Sequence, residues 1–177
     1  MGYLVILRGP AGSGKTTIQR HLIEKLNAFG STHYLLLDEI NEIRFCECLK
    51  KCLKYENVIA EMYYGNSHTE KPDEWMHHFK KRDDKILSVI LECKFESCLK
   101  RVSNRINSPA QKISDDFCLD PGNRVALNIN SNYFKFTMNY ALLPFAINAG
   151  IKQITIDTDE NTVEKAVTNI MDELMKL

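Results

Sequence analysis

The octet Gly9-Pro10-Ala11-Gly12-Ser13-Gly14-Lys15-Thr16 satisfies every constrained position of the pattern G-x-x-x-x-G-K-[ST], and its flanks leave the chain few ways to fold around it. Before it, Tyr3-Leu4-Val5-Ile6-Leu7 is a continuous apolar run of the kind that makes a strand buried on both faces. After it, Ile18, Leu22, Ile23 and Leu26 recur at helical spacing. Strand, glycine-rich loop and helix in that order make a phosphate-binding loop. Glycines let backbone N–H groups close around phosphate oxygens, and a helix starting near Lys15 aims its positive end at them. Gly9, Gly12, Ser13, Gly14, Lys15, Thr16 and Thr17 are therefore the candidate contacts to a nucleotide. Lys15 is expected to reach the β- and γ-phosphates. The Thr16 hydroxyl is expected to ligate Mg²⁺, a hard ion that keeps most of its waters and needs few protein oxygens beside the phosphates.

The segments that follow alternate between strand and helix. His33-Tyr34-Leu35-Leu36-Leu37 reads as a second buried strand ending on Asp38, and residues 39 to 54 as a helix carrying Arg44 on its polar side. Asn57 to Met62 forms a third strand with Glu61 near its end, where a carboxylate beside a phosphate loop can hold magnesium. Tyr63 to His68 is a polar, aromatic loop, and Pro72-Asp73-Glu74-Trp75 opens a helix leading to Arg82, with the adjacent His77 and His78 read as solvated. Lys85 to Glu92 is the fourth strand and Phe95 to Ile106 the next helix, carrying Lys100, Arg101 and Arg105. From Asn107 to Asn123 the periodicity is lost in a polar stretch containing Pro109 and Pro121, a length that marks a lid or binding element. Arg124 to Asn148 reads as a long helix bent near Pro144, and Ile151 to Asp157 as the fifth strand. The final helix shows Val163, Ala166, Val167, Ile170 and Leu174 on one stripe behind an Asn161 to Glu164 capping pattern.

Strands joined by connections too long for hairpins give an α/β fold: a three-layer arrangement of a five-stranded parallel sheet with helices on both faces. At 177 residues the chain suits a single domain, 1–177, with a lid at 107–123. Lys+Arg and Asp+Glu balance at 23 each, so no overall basic field argues for a nucleic acid or a membrane. The sequence shows neither a cleavable leader nor a membrane-length apolar run, and a cytoplasmic protein is expected. The cysteines at 46, 48, 52, 93, 98 and 118 lack the spacing of a stapled scaffold or a zinc site. They are expected to be reduced thiols that pack as small hydrophobes.

With these residues in view the chain resembles the small P-loop kinases of the nucleoside-monophosphate-kinase type, the group that includes adenylate, shikimate, gluconate and adenylylsulfate kinases. The resemblance spans nearly the whole length. It rests on the Gly9 to Thr16 loop, on Asp38-Glu39-Ile40-Asn41-Glu42-Ile43-Arg44 after strand two, on Cys98-Leu99-Lys100-Arg101 through Arg105 after strand four, and on Ile154-Thr155-Ile156-Asp157-Thr158 before the last helix. It implies that Arg101 lies against the nucleotide base and that Arg105 reaches its phosphates from the lid edge. It also implies that the loop from Thr158 to Asn161 passes the adenine edge and that Arg124 enters from the far side of the lid. Residues four apart on a helix share a face, and a guanidinium both stacks on a ring and forks onto phosphate, so the Arg101/Arg105 spacing is physically sensible.

Two departures blur the acceptor. The Asp-x-x-Arg pattern of adenylate kinases is replaced by Asn41-Glu42-Ile43-Arg44, and the glycine-rich signature of shikimate kinases at strand three is absent. Asp38 resembles the strand-end carboxylate that accepts the hydroxyl proton in kinases acting on alcohols, and a helix N-cap role suits it equally. The expected activity is transfer of the γ-phosphoryl group of ATP, with Mg²⁺, to a hydroxyl of a small-molecule acceptor. Lys15, Asp38 and Arg105 would be catalytic, and Asp38, Arg44, Glu61 and Arg124 would face the acceptor. A nucleoside monophosphate kinase, a polynucleotide 5′-hydroxyl kinase and a non-catalytic NTP-binding switch are the competing readings.

Overall fold

A computed structural model describes residues 2–36, 52, 54–61, 84–106 and 151–177 of the chain. Asp38, Arg44, Arg124, the segment 107–123, the helices expected at 72–82 and 124–148, all of the helix expected at 39–54 but Cys52 and Lys54, His77, His78, Cys46, Cys48 and Cys118 lie outside these residues.

The described elements run β1 (Tyr3–Arg8), α1 (Lys15–Leu26), β2 (Thr32–Leu36), β3 (Asn57–Glu61), β4 (Lys85–Glu92), α2 (Phe95–Ile106), β5 (Lys152–Asp157) and α3 (Val163–Met175). All five strands are parallel, in the order β2-β3-β1-β4-β5. The apolar runs explain why these segments are strands: β1 and β3 are buried almost end to end, as only a sheet covered on both sides allows. One face is packed by α1 and α3. There Val5, Leu7, Ile59, Leu87, Val89 and Leu91 meet Ile18, Leu22 and Leu26 of α1 and Val167, Ile170 and Leu174 of α3 in one core. The alternate residues Leu4, Ile6, Ala60 and Ile90 on the opposite face are equally shut off from solvent. Right-handed crossovers leaving the central strands in opposite directions put α1 and α2 on opposite sides of the sheet.

The order reverses at β1, whose neighbours are β3 on one side and β4 on the other. Such a switch point opens a crevice outside the C-terminal strand ends. The glycine-rich loop lies there because it follows β1 directly.

Three expectations need correction. The α3 N-cap is Thr162, whose hydroxyl accepts from the Lys165 N–H at 3.2 Å, and not Asn161. The helix starts at Val163, which makes the extended Thr162 (φ −65°, ψ 161°) the residue before its first turn, while the Asn161 side-chain amide donates to the Asp157 carbonyl at 2.7 Å. Cys93 and Cys98 form a disulfide instead of two thiols: the turn from β4 into α2 brings their Cα atoms to 6.6 Å. Cys52, by contrast, is buried as the packing argument expects. Finally, β1 continues through Arg8, whose fully buried guanidinium donates to Gln153 Oε1 at 3.2 Å.

Candidate nucleotide site

The loop from Gly9 to Gly14 turns tightly, with the Ser13 N–H donating to the Pro10 carbonyl at 3.2 Å, and α1 starts at once, with the Ile18 N–H donating to the Gly14 carbonyl at 2.9 Å. Three glycines are required by geometry, and Gly9 (φ +142°) is one, since a Cβ there would stand 2.5 Å from the Leu91 carbonyl oxygen. Gly12 (φ +83°) lies so close to α2 that a Cβ there would stand 2.7 Å from the Cys98 carbonyl oxygen, and Gly14 (φ +96°) is the left-handed N-cap of α1. The phosphate loop is thus clasped between α1, which it opens, and the first turns of α2.

Lys15 folds back over the loop. Its Nζ donates to the carbonyls of Gly9 and Pro10, both at 2.9 Å, and its side chain is only 3% exposed. Glu61 Oε1 lies 4.0 Å from that ammonium. The other carboxylate oxygen, Oε2, accepts from the Thr16 hydroxyl at 3.3 Å and from the Tyr34 hydroxyl at 2.8 Å. The structure therefore brings Lys15, Thr16 and Glu61 together at the ends of β1 and β3. A hydroxyl and a carboxylate at this separation are hard oxygen donors of the kind Mg²⁺ takes when phosphates supply further ligands, so the residues present fit that ion. Nearby, Ser13 Oγ is buried with no hydrogen-bond partner among the described residues, an orphaned donor at the place where phosphate oxygens would come. Thr17 follows on α1, exposed to solvent.

A second cluster joins α2 to the turn after β5. Arg101 Nη1 donates to the Gly12 carbonyl at 3.3 Å and to Thr158 Oγ1 at 3.0 Å, while Nη2 donates to the Thr158 carbonyl and to Asp159 Oδ1, both at 2.8 Å. Thr158 is itself fixed to β4, its N–H and hydroxyl both donating to the Glu92 carbonyl at 2.8 and 3.0 Å. Asp159 also accepts from the Lys94 N–H at 2.7 Å. Burial alone would raise the Asp159 carboxyl, but the Lys94 N–H, the Ser97 hydroxyl and the nearby Arg101 charge outweigh it and hold the group below 3.8. Arg105 is placed one turn further along α2.

Tyr34 was not among the candidates drawn from the sequence, and Asp159 entered only as part of the loop from Thr158 to Asn161. Tyr34 is hidden in an apolar strand, and its hydroxyl meets Glu61 only because β2 and β3 pair. Asp159 follows Thr158, but nothing local marks it as a partner for Arg101.

No protein-family model matches the chain. Among solved structures, a gluconokinase from Sinorhizobium meliloti is similar over 99% of this chain and 92% of its own, at 11% identity and a TM-score of 0.57. A deoxyadenosine kinase from M. mycoides with bound dATP is similar over 97% and 98%, at 15% identity and a TM-score of 0.54. Shikimate kinase from Acinetobacter baumannii is 19% identical over 99% and 94%, with a TM-score of 0.46. Strand order, phosphate loop and the first two of these overlays together give the chain the fold of the small P-loop kinases of the nucleoside-monophosphate-kinase type.

Proposed function

We propose that the protein is an ATP-dependent phosphotransferase that moves the γ-phosphoryl group to a hydroxyl of a small molecule. The observation that carries this reading is the buried Lys15 ammonium, held on the Gly9 and Pro10 carbonyls beside Glu61 and Thr16 at the N-terminal end of α1. A cation, a hydroxyl and a carboxylate concentrated at a helix N-terminus suit a polyphosphate with its metal better than they suit any apolar ligand.

Phosphoryl transfer asks the protein mainly for alignment and for positive charge where the transferring group becomes negative. Lys15 and the amides of Gly12, Ser13, Gly14, Thr16 and Thr17 would hold the phosphates. Mg²⁺ held by Thr16 and, through water, by Glu61 would neutralise charge on the β- and γ-oxygens. Arg105 would reach the phosphates from the lid edge, and Arg101 with the Thr158 turn would bound the base. On the acceptor side Asp38 would take the hydroxyl proton as the oxygen attacks, Arg44 would grip an acidic group on the acceptor, and Arg124 would close from the lid. The segment 107–123 would be that lid, within one kinase domain spanning 1–177. Two structural neighbours are named for hydroxyl-bearing compounds, deoxyadenosine and gluconate, which supports an alcohol acceptor. Such an enzyme would act in the cytoplasm.

The test is a coupled ADP-release screen across nucleosides, nucleotides, sugars, sugar acids and 5′-hydroxyl oligonucleotides, with Lys15→Ala as control. Turnover with an alcohol that is lost in Lys15→Ala supports the reading. Wild-type protein that shows no ATP affinity by calorimetry, with or without magnesium, overturns it.

A further inference from the structure

We propose that Asp159 is a positioning residue of the nucleotide site: it locks the Arg101 guanidinium in place so that the group offers a flat face to the base and none of its terminal N–H donors to the phosphates. This rests on the nucleotide-binding reading above. A guanidinium has four terminal N–H donors, all lying in its plane. In Arg101 all four are engaged by protein acceptors, two from Nη1 on the Gly12 carbonyl and Thr158 Oγ1, and two from Nη2 on the Thr158 carbonyl and Asp159 Oδ1. An arginine that forks onto phosphate needs those donors and would first have to break this set. Beyond these four, the group keeps its single Nε–H and its faces, and with the side chain 36% exposed a face is the part that can stack on a ring.

Charge points the same way. The 2.8 Å ion pair with Asp159 balances the Arg101 cation, which lowers its pull on a polyphosphate without reducing its capacity to stack. Asp159 is suited to the task because its own position is fixed three times over. Its backbone N–H donates to Asp157 Oδ1 at 2.8 Å, its Oδ2 accepts from the Lys94 N–H, and its Oδ1 takes Arg101. It thereby ties the β5–α3 turn to the start of α2 and, through Arg101, to the phosphate loop at Gly12. The Arg101 side chain remains 36% exposed while that of Asp159 is 15% exposed, as expected if one is the contact surface and the other its support.

The experiment is calorimetric titration of the full chain with Mg-ATP and with Mg-tripolyphosphate, which has the phosphates but no base. It compares wild type, Asp159→Asn, Arg101→Met and the double variant, with Asp159→Ala as a second probe of the position and thermal melting to confirm folding. Because the pair is partly solvated, Asp159→Asn is expected to weaken ATP only about five- to tenfold, to leave tripolyphosphate within about twofold, and to add nothing to the loss in Arg101→Met. Unchanged ATP affinity in both Asp159 variants, equal losses for ATP and tripolyphosphate, or additive losses in the double variant would each overturn the assignment. Wild type that binds neither compound would instead refute the nucleotide-binding reading on which it stands.

Discussion

Replacing Gly12 and Gly14 by alanine, one at a time, tests whether α2 is seated directly on the phosphate loop. Both residues have positive φ, +83° and +96°, so alanine meets a similar backbone penalty at each. For an L-residue held in the left-handed region that penalty is about 1–2 kcal/mol. The surroundings differ. Around Gly14 nothing lies within 4 Å of the added carbon, whereas at Gly12 it would meet the Cys98 carbonyl oxygen at 2.7 Å and the Cys98 Cα and Val102 Cγ2 at 3.1 Å. Two of these three atoms are helix backbone and cannot swing aside, so α2 must move as a body. Overpacking of this kind adds about 1–3 kcal/mol, which makes Gly12→Ala the more destabilised variant by that margin. For a chain of this size the difference appears as a melting temperature lower by about 2–12 °C, or as a shifted denaturation midpoint at unchanged slope. Equal stability of the two variants would mean that α2 does not bear on the loop. The clasp through Gly12, Arg101 and Thr158 would then fall with it.

Four further outcomes are expected. Glu61→Gln should raise the magnesium concentration needed for half-maximal turnover, and Tyr34→Phe, which removes the 2.8 Å hydrogen bond to Glu61, should do so to a lesser degree; a magnesium titration unchanged in both would count against Glu61 as a metal-holding acid. Asp38→Asn should lower kcat by about 10²-fold with ATP affinity nearly normal, because an attacking alcohol must lose its proton whereas a phosphate acceptor is already ionised. An effect confined to acceptor KM would favour the nucleotide-kinase reading. Reducing the Cys93–Cys98 disulfide, or Cys93→Ser, should cost about 2 kcal/mol in urea unfolding, the loop-closure value for so short a span, and reductant should then have no effect on Cys93→Ser. Glu173 is held at about 2 by hydrogen bonds from Lys152 and then Lys176, against 4.5 when free, so its contribution to stability is present above 4.5 and is lost as pH falls towards 2. Glu173→Gln should flatten that part of the pH–stability curve, and added salt should shrink the difference because the lysine partners are solvent-accessible, at 36% and 62%.

What could be read from the sequence was what is local. The apolar run of β4 and the amphipathic α2 have the bounds expected, Lys85–Glu92 and Phe95–Ile106, because burial pattern alone decides them. The phosphate loop was legible for the same reason: Gly9, Gly12, Gly14, Lys15 and Thr16 lie within a single turn of chain, so their spacing is their geometry. The α3 cap shows where local reasoning stops. Asn161 and Thr162 are both good N-caps, and the choice falls to Thr162 because the helix begins at Val163, one residue later than the Asn161 to Glu164 pattern implies. The opposite side of the candidate site is assembled from distant parts. Arg101 meets Gly12 across 89 residues, Thr158 across 57 and Asp159 across 58. Those meetings depend on β5 lying beside β4 and β4 beside β1, an order that no periodicity encodes. The same dependence governs Tyr34 and Glu61, which are 27 residues apart and share a hydrogen bond only because β2 and β3 are neighbours. A motif can therefore identify the groups that would hold phosphate, while those that orient its arginine and its acid emerge only once the sheet has set the strands in order.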